Sequence, residues 1–582
     1  MKKIVLILIL GVNIFTSCDS ILTENVYQRT NFIENDKDAE SALAAVYNRM
    51  YQMDTNAKSS NGTGLAEDYI LVMEAVGVGV SDAQDRLGKN MPGGLLHSKA
   101  INSTNLAINS VWINFYSAIA YANNVLDGLD HAPASVTTAV KSRVYGEALF
   151  LRSLHYFNLV RMFGALPLYL KPATQITEIP VRQPVSVIYR QIIADLKKSA
   201  ELLPSVRSTE GRPSKGSAYG LLAKVYLTAA SMNKYGTKYN EKFYNDLLGY
   251  DFVQNSSLYY DSTRIYCEEV TKIGQFSLVP DFMQQYTMQV GPYGKVSDNG
   301  MKFSSESLFE VNTIRQRLYG SMIPCYFSPA GSGYSGSDWG GTRCTKYIFN
   351  EFYKAHCKGS SPDSIDYRLD VTFNGGYSGI IRKYYKGIPL VHNPNTVIKN
   401  GNDTTIICYP NPAAEISEKW PYLAKYQDIN ATYVTQNQCN FIYLRYADVL
   451  LMQAEAENEI NGPSNAYQYV NRLMSRARNG NIAIKRTYPL DWSGMTQDQF
   501  REAIWKERNF ELLGECHQWY DLVRTGKYLS YIAAFNNFEG NPDAPYRYPG
   551  EVQMVSNPNN VLFPIPLNEL NVNPKIIQNP GF

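Results

Sequence analysis

Between Asn440 and Lys527 the sequence reads as a stack of short helices, and such a stack leaves few folds open to the chain. The spacing predicts a first helix from Tyr443 to Asn458, with Leu444, Ala447, Leu451 and Ala454 as one apolar stripe whose small residues allow close approach. Asn461-Gly462-Pro463 stops it, because Gly releases the chain at little cost and Pro cannot continue a helix. Ser464 is expected to cap a second helix, with Ala466, Val470, Leu473 and Ala477 as its inner face. A third starts at the capping-box pair Thr496 and Gln499 and runs through Phe500 and Ile504 to Gly514. A fourth carries Trp519 to Arg524 and closes at Gly526. Helices of about a dozen residues, joined in pairs by short breaks, predict an all-α fold: a tetratricopeptide-type helical solenoid with long irregular loop insertions.

Along the third helix the apolar line continues into Glu507 and Glu511, and Arg508, Glu515, Asp521 and Arg524 lie close by in sequence. Two carboxylates with separated pKa values can perform acid/base hydrolysis. The same residues can equally form a partly buried ion-pair network that fixes how two helices dock, and this second reading is favoured because the signs are mixed.

The rest of the chain is read around these helices. Residues 1–17 have the form of an export signal, with Lys2 and Lys3 before the apolar run Ile4 to Leu10 and small residues before Cys18. That run is too short to span a bilayer, which takes about 20 residues. Cys18 is the expected lipidation site, and 18–34 the lipidated tether. An N-terminal helical region is expected over 35–273, with helices near 36–53, 111–129, 140–163, 185–203, 215–229 and 262–273. Its Gly-rich stretch from Ser59 to Asn105 contains Asp82, Asp85, Arg86 and Asn90, and a loop of that length inside a compact domain is usually functional or disordered. Residues 274–439 show no helical period and form a loop-rich insertion, in which Tyr326, Tyr334 and Trp339 offer flat apolar faces among Gly and Ser. These aromatics either stack on the C–H face of a sugar while nearby polar groups bond its hydroxyls, or pin long loops onto the helices. A C-terminal helical region takes 440–582.

Several function classes are excluded or disfavoured by composition. The net charge of +2 points to no nucleic-acid partner. Eight Cys without a C-x-x-C pair or a His at zinc spacing point to no metal site. There is no Walker loop, H-E-x-x-H or G-x-S-x-G, so neither a cofactor nor enzymatic chemistry is expected. The 44 Tyr against 6 Trp suit a polar-ligand surface, since Tyr brings an apolar body and a hydroxyl.

Four segments carry a resemblance: Arg445-Tyr-Ala-Asp-Val-Leu-Leu451, Val470-Asn-Arg-Leu-Met-Ser-Arg-Ala-Arg478, Glu507-Arg-Asn-Phe-Glu-Leu-Leu-Gly514 and Trp519-Tyr-Asp-Leu-Val-Arg524. With the closing runs Leu562-Phe-Pro-Ile-Pro-Leu567 and Gln578-Asn-Pro-Gly-Phe582, they resemble the SusD/RagB family of nutrient-binding lipoproteins. What the resemblance implies is a lipid-anchored outer-membrane protein, facing the cell exterior, that captures a glycan and delivers it to a SusC-like TonB-dependent outer-membrane barrel. It also implies a ligand surface built from loops between helices, here Asp82, Asp85, Arg86 and Asn90 together with Tyr326, Tyr334 and Trp339. A peptide ligand, a glycan hydrolase and a protein-interaction scaffold stand as alternatives.

Overall fold

The computed structural model describes residues 32–51, 69–77 and 96–236 (each apart from a few positions), 255–286, 302–314, 320–327, 344–358, 362–373, 436–479, 486–538 and 553–582, together with short stretches between them. The fold is predominantly helical. Helix α1 (Asp36–Tyr51) buries Ala39, Leu43, Val46 and Met50, the side its periodicity predicts. Helix α2 (Leu106–Asp130) starts five residues before the expected Val111, because the Asn105 side chain accepts hydrogen bonds from the Ala107 and Ile108 N–H groups and caps it there. Helix α3 (Thr138–Phe163) is capped by Thr137 and ends at Gly164, whose φ of 74° suits glycine. Three more follow: α4 (Val185–Leu202), α5 (Lys215–Tyr235) and α6 (Ser256–Lys272). The last begins six residues before the expected Ser262, at an Asn255 cap.

Between α3 and α4 a two-residue ladder joins β1 (Leu166–Pro167) to β2 (Arg182–Gln183). The insertion is less irregular than its sequence suggests. Strand β3 (Ser307–Val311) lies within it, as do α7 (Ile323–Phe327), α8 (Lys346–His356) and α9 (Arg368–Thr372). Two small hairpins, β4 (Tyr384–Tyr385) with β5 (Ile388–Pro389) and β6 (Ile398–Asn400) with β7 (Thr404–Ile406), complete it. The expectation of no helix here is therefore corrected. Thr345 caps α8 through the Ile348 N–H, and Ile348, Phe349, Phe352 and His356 bury one face at helical spacing.

A second correction falls at the start of the C-terminal region. Phe441–Arg445 is strand β8, paired antiparallel with β3, so Tyr443 and Leu444 stand on a ladder and helix α10 (Tyr446–Asn461) begins at Tyr446. All five residues of each strand are buried, which removes the alternation that would reveal a strand. Pro463, not Ser464, is the first residue of α11 (Pro463–Asn479), a position where its missing N–H costs nothing. The inner face Ala466, Val470, Leu473 and Ala477 is buried as expected. Helix α12 (Gln497–Glu511) has the predicted Thr496–Gln499 capping box, and α13 (Gln518–Arg524), α14 (Tyr528–Asn536) and α15 (Leu567–Val572) follow.

Consecutive helices pack from α1 through α6, and α6 then packs directly on α10, which carries α11 and α12. The two helical regions are thus one continuous solenoid of tetratricopeptide type. Helix α10 is its pivot, buried on every side from Tyr446 to Asn458. Each fully buried Leu or Val there contributes about 1.5–3 kcal/mol relative to exposure. Among the described residues no helix is long and apolar enough to cross a membrane, and no group of His, Cys, Asp or Glu is arranged to hold a metal ion.

Candidate functional site

The carboxylates beyond the apolar face of α12 are buried and paired. Glu511 receives Arg445 Nη1 at 2.7 Å, Arg368 Nη1 at 2.8 Å and Arg476 Nη2. Arg445 also holds both oxygens of Glu515, at 2.7 and 3.0 Å, and Glu306 at 2.7 Å. Lys425 adds a bond to Glu515 at 2.7 Å, and Arg368 reaches Glu507 and Asp366. Burial opposes the charge on Glu511, yet Arg476, Arg445 and Arg368 hold it well below the ordinary carboxylate range. Against the same burial, Arg445 and Lys425 bring Glu515 down to about 2. Glu507 differs: burial outweighs Arg368 and raises it. A second cluster joins Arg508 to Asp448 at 2.9 Å and to Asp521 at 3.0 Å, and Arg524 to Asp521 and Glu455 at 2.7 Å each. These carboxylates are engaged by cations inside the protein, which is the geometry of a docking network.

Its position matters because of what leaves from it. Helix α12 ends in a tight turn, with Gly514 at φ 82° and Cys516 at φ 62°, before α13 begins. A Cβ on Gly514 would lie 2.3 Å from Leu423 Cδ2, so only glycine fits. Glu74 accepts the Cys516 N–H at 2.7 Å, and Lys99 Nζ donates to the Gly77 carbonyl at 2.8 Å. Gly77 and Leu96 flank residues 78–95, so the base of that stretch is fastened to this turn. On the other side Tyr426 donates its hydroxyl to the Gly514 carbonyl at 2.9 Å, and the Phe327 ring packs on Tyr426 at 6.0 Å. Phe327 is the last described residue before 328–343. The bases of both loop stretches named from the sequence therefore converge on residues 512–518.

Tyr326, named from the sequence as a ligand-facing ring, is buried at 5% exposure in α7 and belongs to the packed base of its stretch. Asp82, Asp85, Arg86, Asn90, Tyr334, Trp339 and Cys18 lie outside the described residues. His517 is buried against Lys224 at 2.9 Å.

Comparison with known proteins agrees with the helical fold. Residues 305–582 match the model described as the SusD family, and residues 24–227 match one described as starch-binding associating with outer membrane. The chain belongs to the SusD/RagB family. A SusD-like protein of Formosa agariphila is 27% identical over 496 residues, 81% of this chain and 79% of that one. Among solved structures, a SusD homologue from Bacteroides thetaiotaomicron superposes with a TM-score of 0.69 at 22% identity, covering 95% of this chain and 98% of that one. The surface glycan-binding protein A from the same organism, in complex with laminarihexaose, superposes with a TM-score of 0.62 at 20% identity, covering 94% and 99%.

In this SusD-family chain the four segments that carry the resemblance supply most of the network. Arg445, Arg476, Glu511 and Glu507 meet in one cluster, and Asp448, Arg508, Asp521 and Arg524 in the other. Reading the sequence missed Glu306, Arg368, Lys425 and Glu74. Each lies more than sixty residues from the residue it meets within 445–516, and no local spacing marks it.

Proposed function

We propose that this protein binds a glycan at the cell surface, without chemistry, and delivers it to a SusC-like TonB-dependent outer-membrane transporter while held to the membrane by a lipid on Cys18. The observation that carries the reading is the shared base of the two loop stretches on residues 512–518. A buried, ion-paired core beneath the described ends of both stretches suits a site that must hold polar side chains and aromatic faces in fixed relation. The glycan-binding protein with laminarihexaose supports the ligand class, and the family description supports association with the outer membrane. Asp82, Asp85, Arg86 and Asn90 would bond hydroxyls while Tyr334 and Trp339 stack, with Tyr326 buried as their footing. Single contacts of this kind are weak, so affinity for a polymer grows by repeated engagement.

The test is a screen of the purified protein against β-glucans, α-glucans and peptides, with product analysis for hydrolysis. Saturable binding of at least one glycan with no cleavage supports the reading. Binding of peptides alone, or glycan cleavage abolished by Glu511→Gln with folding kept, contradicts it.

A further inference from the structure

Away from the loop bases, a crevice of about 370 Å³ opens between α2, the segment following β1, and α15. Its size lies in the range that accommodates a small molecule or a large side chain. Trp112, Tyr116 and Tyr169 form an angular wall: Trp112 and Tyr116 have centroids 4.8 Å apart at 53°, and Tyr116 and Tyr169 5.7 Å apart at 90°. Glu569 stands against that wall, accepting the Trp112 Nε1–H at 3.3 Å. Among the described residues no basic side chain pairs with Glu569, although it is half-buried. Burial raises the carboxyl above its ordinary range despite the Trp112 bond.

Of the other polar groups, those of Tyr116 and Asn123 are already engaged, while Ser117 and Lys171 also line the crevice. The Tyr116 hydroxyl donates to the Pro167 carbonyl, the Asn123 amide donates to the Tyr169 carbonyl, and its oxygen accepts from Arg152. A polyhydroxylated sugar would find the Tyr116 and Asn123 groups engaged. A carboxylate without a counter-ion beside π faces suits a cation instead, since ring faces attract cations and the carboxylate supplies a charge-assisted hydrogen bond. Ile113, 50% exposed at the mouth, and Ile176 add apolar contact for the rest of the ligand.

We propose that this crevice is a second binding site, for an ammonium group carried on an apolar body, with the cation at Glu569 and the body against Tyr116, Tyr169 and Ile113. A free aromatic amine and a lysine side chain between apolar neighbours share that chemistry. The site is independent of the glycan reading and stands or falls without it.

The experiment is calorimetry on the full mature protein with phenethylammonium and its neutral counterpart 2-phenylethanol. A second arm uses a peptide with lysine between two phenylalanines and its norleucine counterpart. The expected result is saturable binding of at least one cationic probe, roughly tenfold tighter than its neutral partner. Glu569→Gln keeps an acceptor for Trp112 and should remove that preference without shifting the melting curve. Ala173→Trp, at an exposed position on the rim, should block the crevice and abolish binding. Binding of the amine alone assigns a free ligand, and binding of the peptide assigns a protein-borne lysine. Equal affinity for neutral and cationic probes, an unchanged preference in Glu569→Gln, or no binding up to the solubility limit overturns the proposal.

Discussion

Glu511 lies among three guanidinium groups and has no exposed surface, so its removal leaves buried cations short of a counter-charge. Breaking such a pair costs about 3–5 kcal/mol. Glu511→Ala should lower the urea midpoint accordingly, with Glu511→Gln losing less, and an unchanged midpoint would remove the docking role. The pH dependence has two parts of opposite sign. Burial works against Glu515 and Asp521, but Arg445 and Arg508 respectively hold each down to about 2. Their contribution is present above the unfolded value of about 4 and is lost as the pH falls towards about 2, so acid unfolding should set in across that window. Glu74 behaves in reverse, because burial raises it to about 7. Its penalty is absent below about pH 4 and grows as the pH rises through 7. Glu74→Gln should therefore raise the melting midpoint at about pH 8 and leave it nearly unchanged at about pH 4. Equal shifts at both would show that Glu74 does not titrate across this range.

At the scale of elements, the helices with one wet face were legible: α1, α4 and α11 show the period of 3.6 because only one side is buried. The strand β8 was not. Phe441 to Leu444 is buried on both faces and runs straight into a helical stripe, so periodicity extends the helix backwards. Its partner β3 lies at least 130 residues upstream, where sequence spacing carries no signal. The candidate site was legible in the same partial way. The carboxylates of α12 stood out, whereas Arg368, which pairs with Glu507, lies 139 residues away. The ladder also sets a close contact with α5: a Cβ on Gly220 would lie 2.5 Å from Leu308 Cδ2 and 2.8 Å from Leu444 Cδ2. Gly220→Val must displace the Leu308 and Leu444 side chains that seat the ladder on the helix, at a cost of about 1–3 kcal/mol. The check is a melting curve, and a midpoint equal to the wild type would mean that the ladder does not seat on α5.

For the whole molecule, the proposed function places binding loops, a lipid anchor and a partner surface on one helical solenoid. Cys18→Ser should yield a chain without lipid that is released from the membrane fraction, as intact mass and fractionation would report. Retention of the variant would separate membrane association from Cys18. From native membranes the protein should co-purify with an outer-membrane barrel through an interface of about 1,600 Å² or more. The most direct measurement is calorimetry with the best glycan of the screen on the wild type, Trp339→Ala and Tyr334→Ala, beside a melting curve for each. An aromatic contact contributes about 0.5–1.5 kcal/mol beyond area burial, so each variant should bind severalfold or more weakly with its melting midpoint kept. Normal binding by both variants, or binding lost only together with folding, would contradict the account.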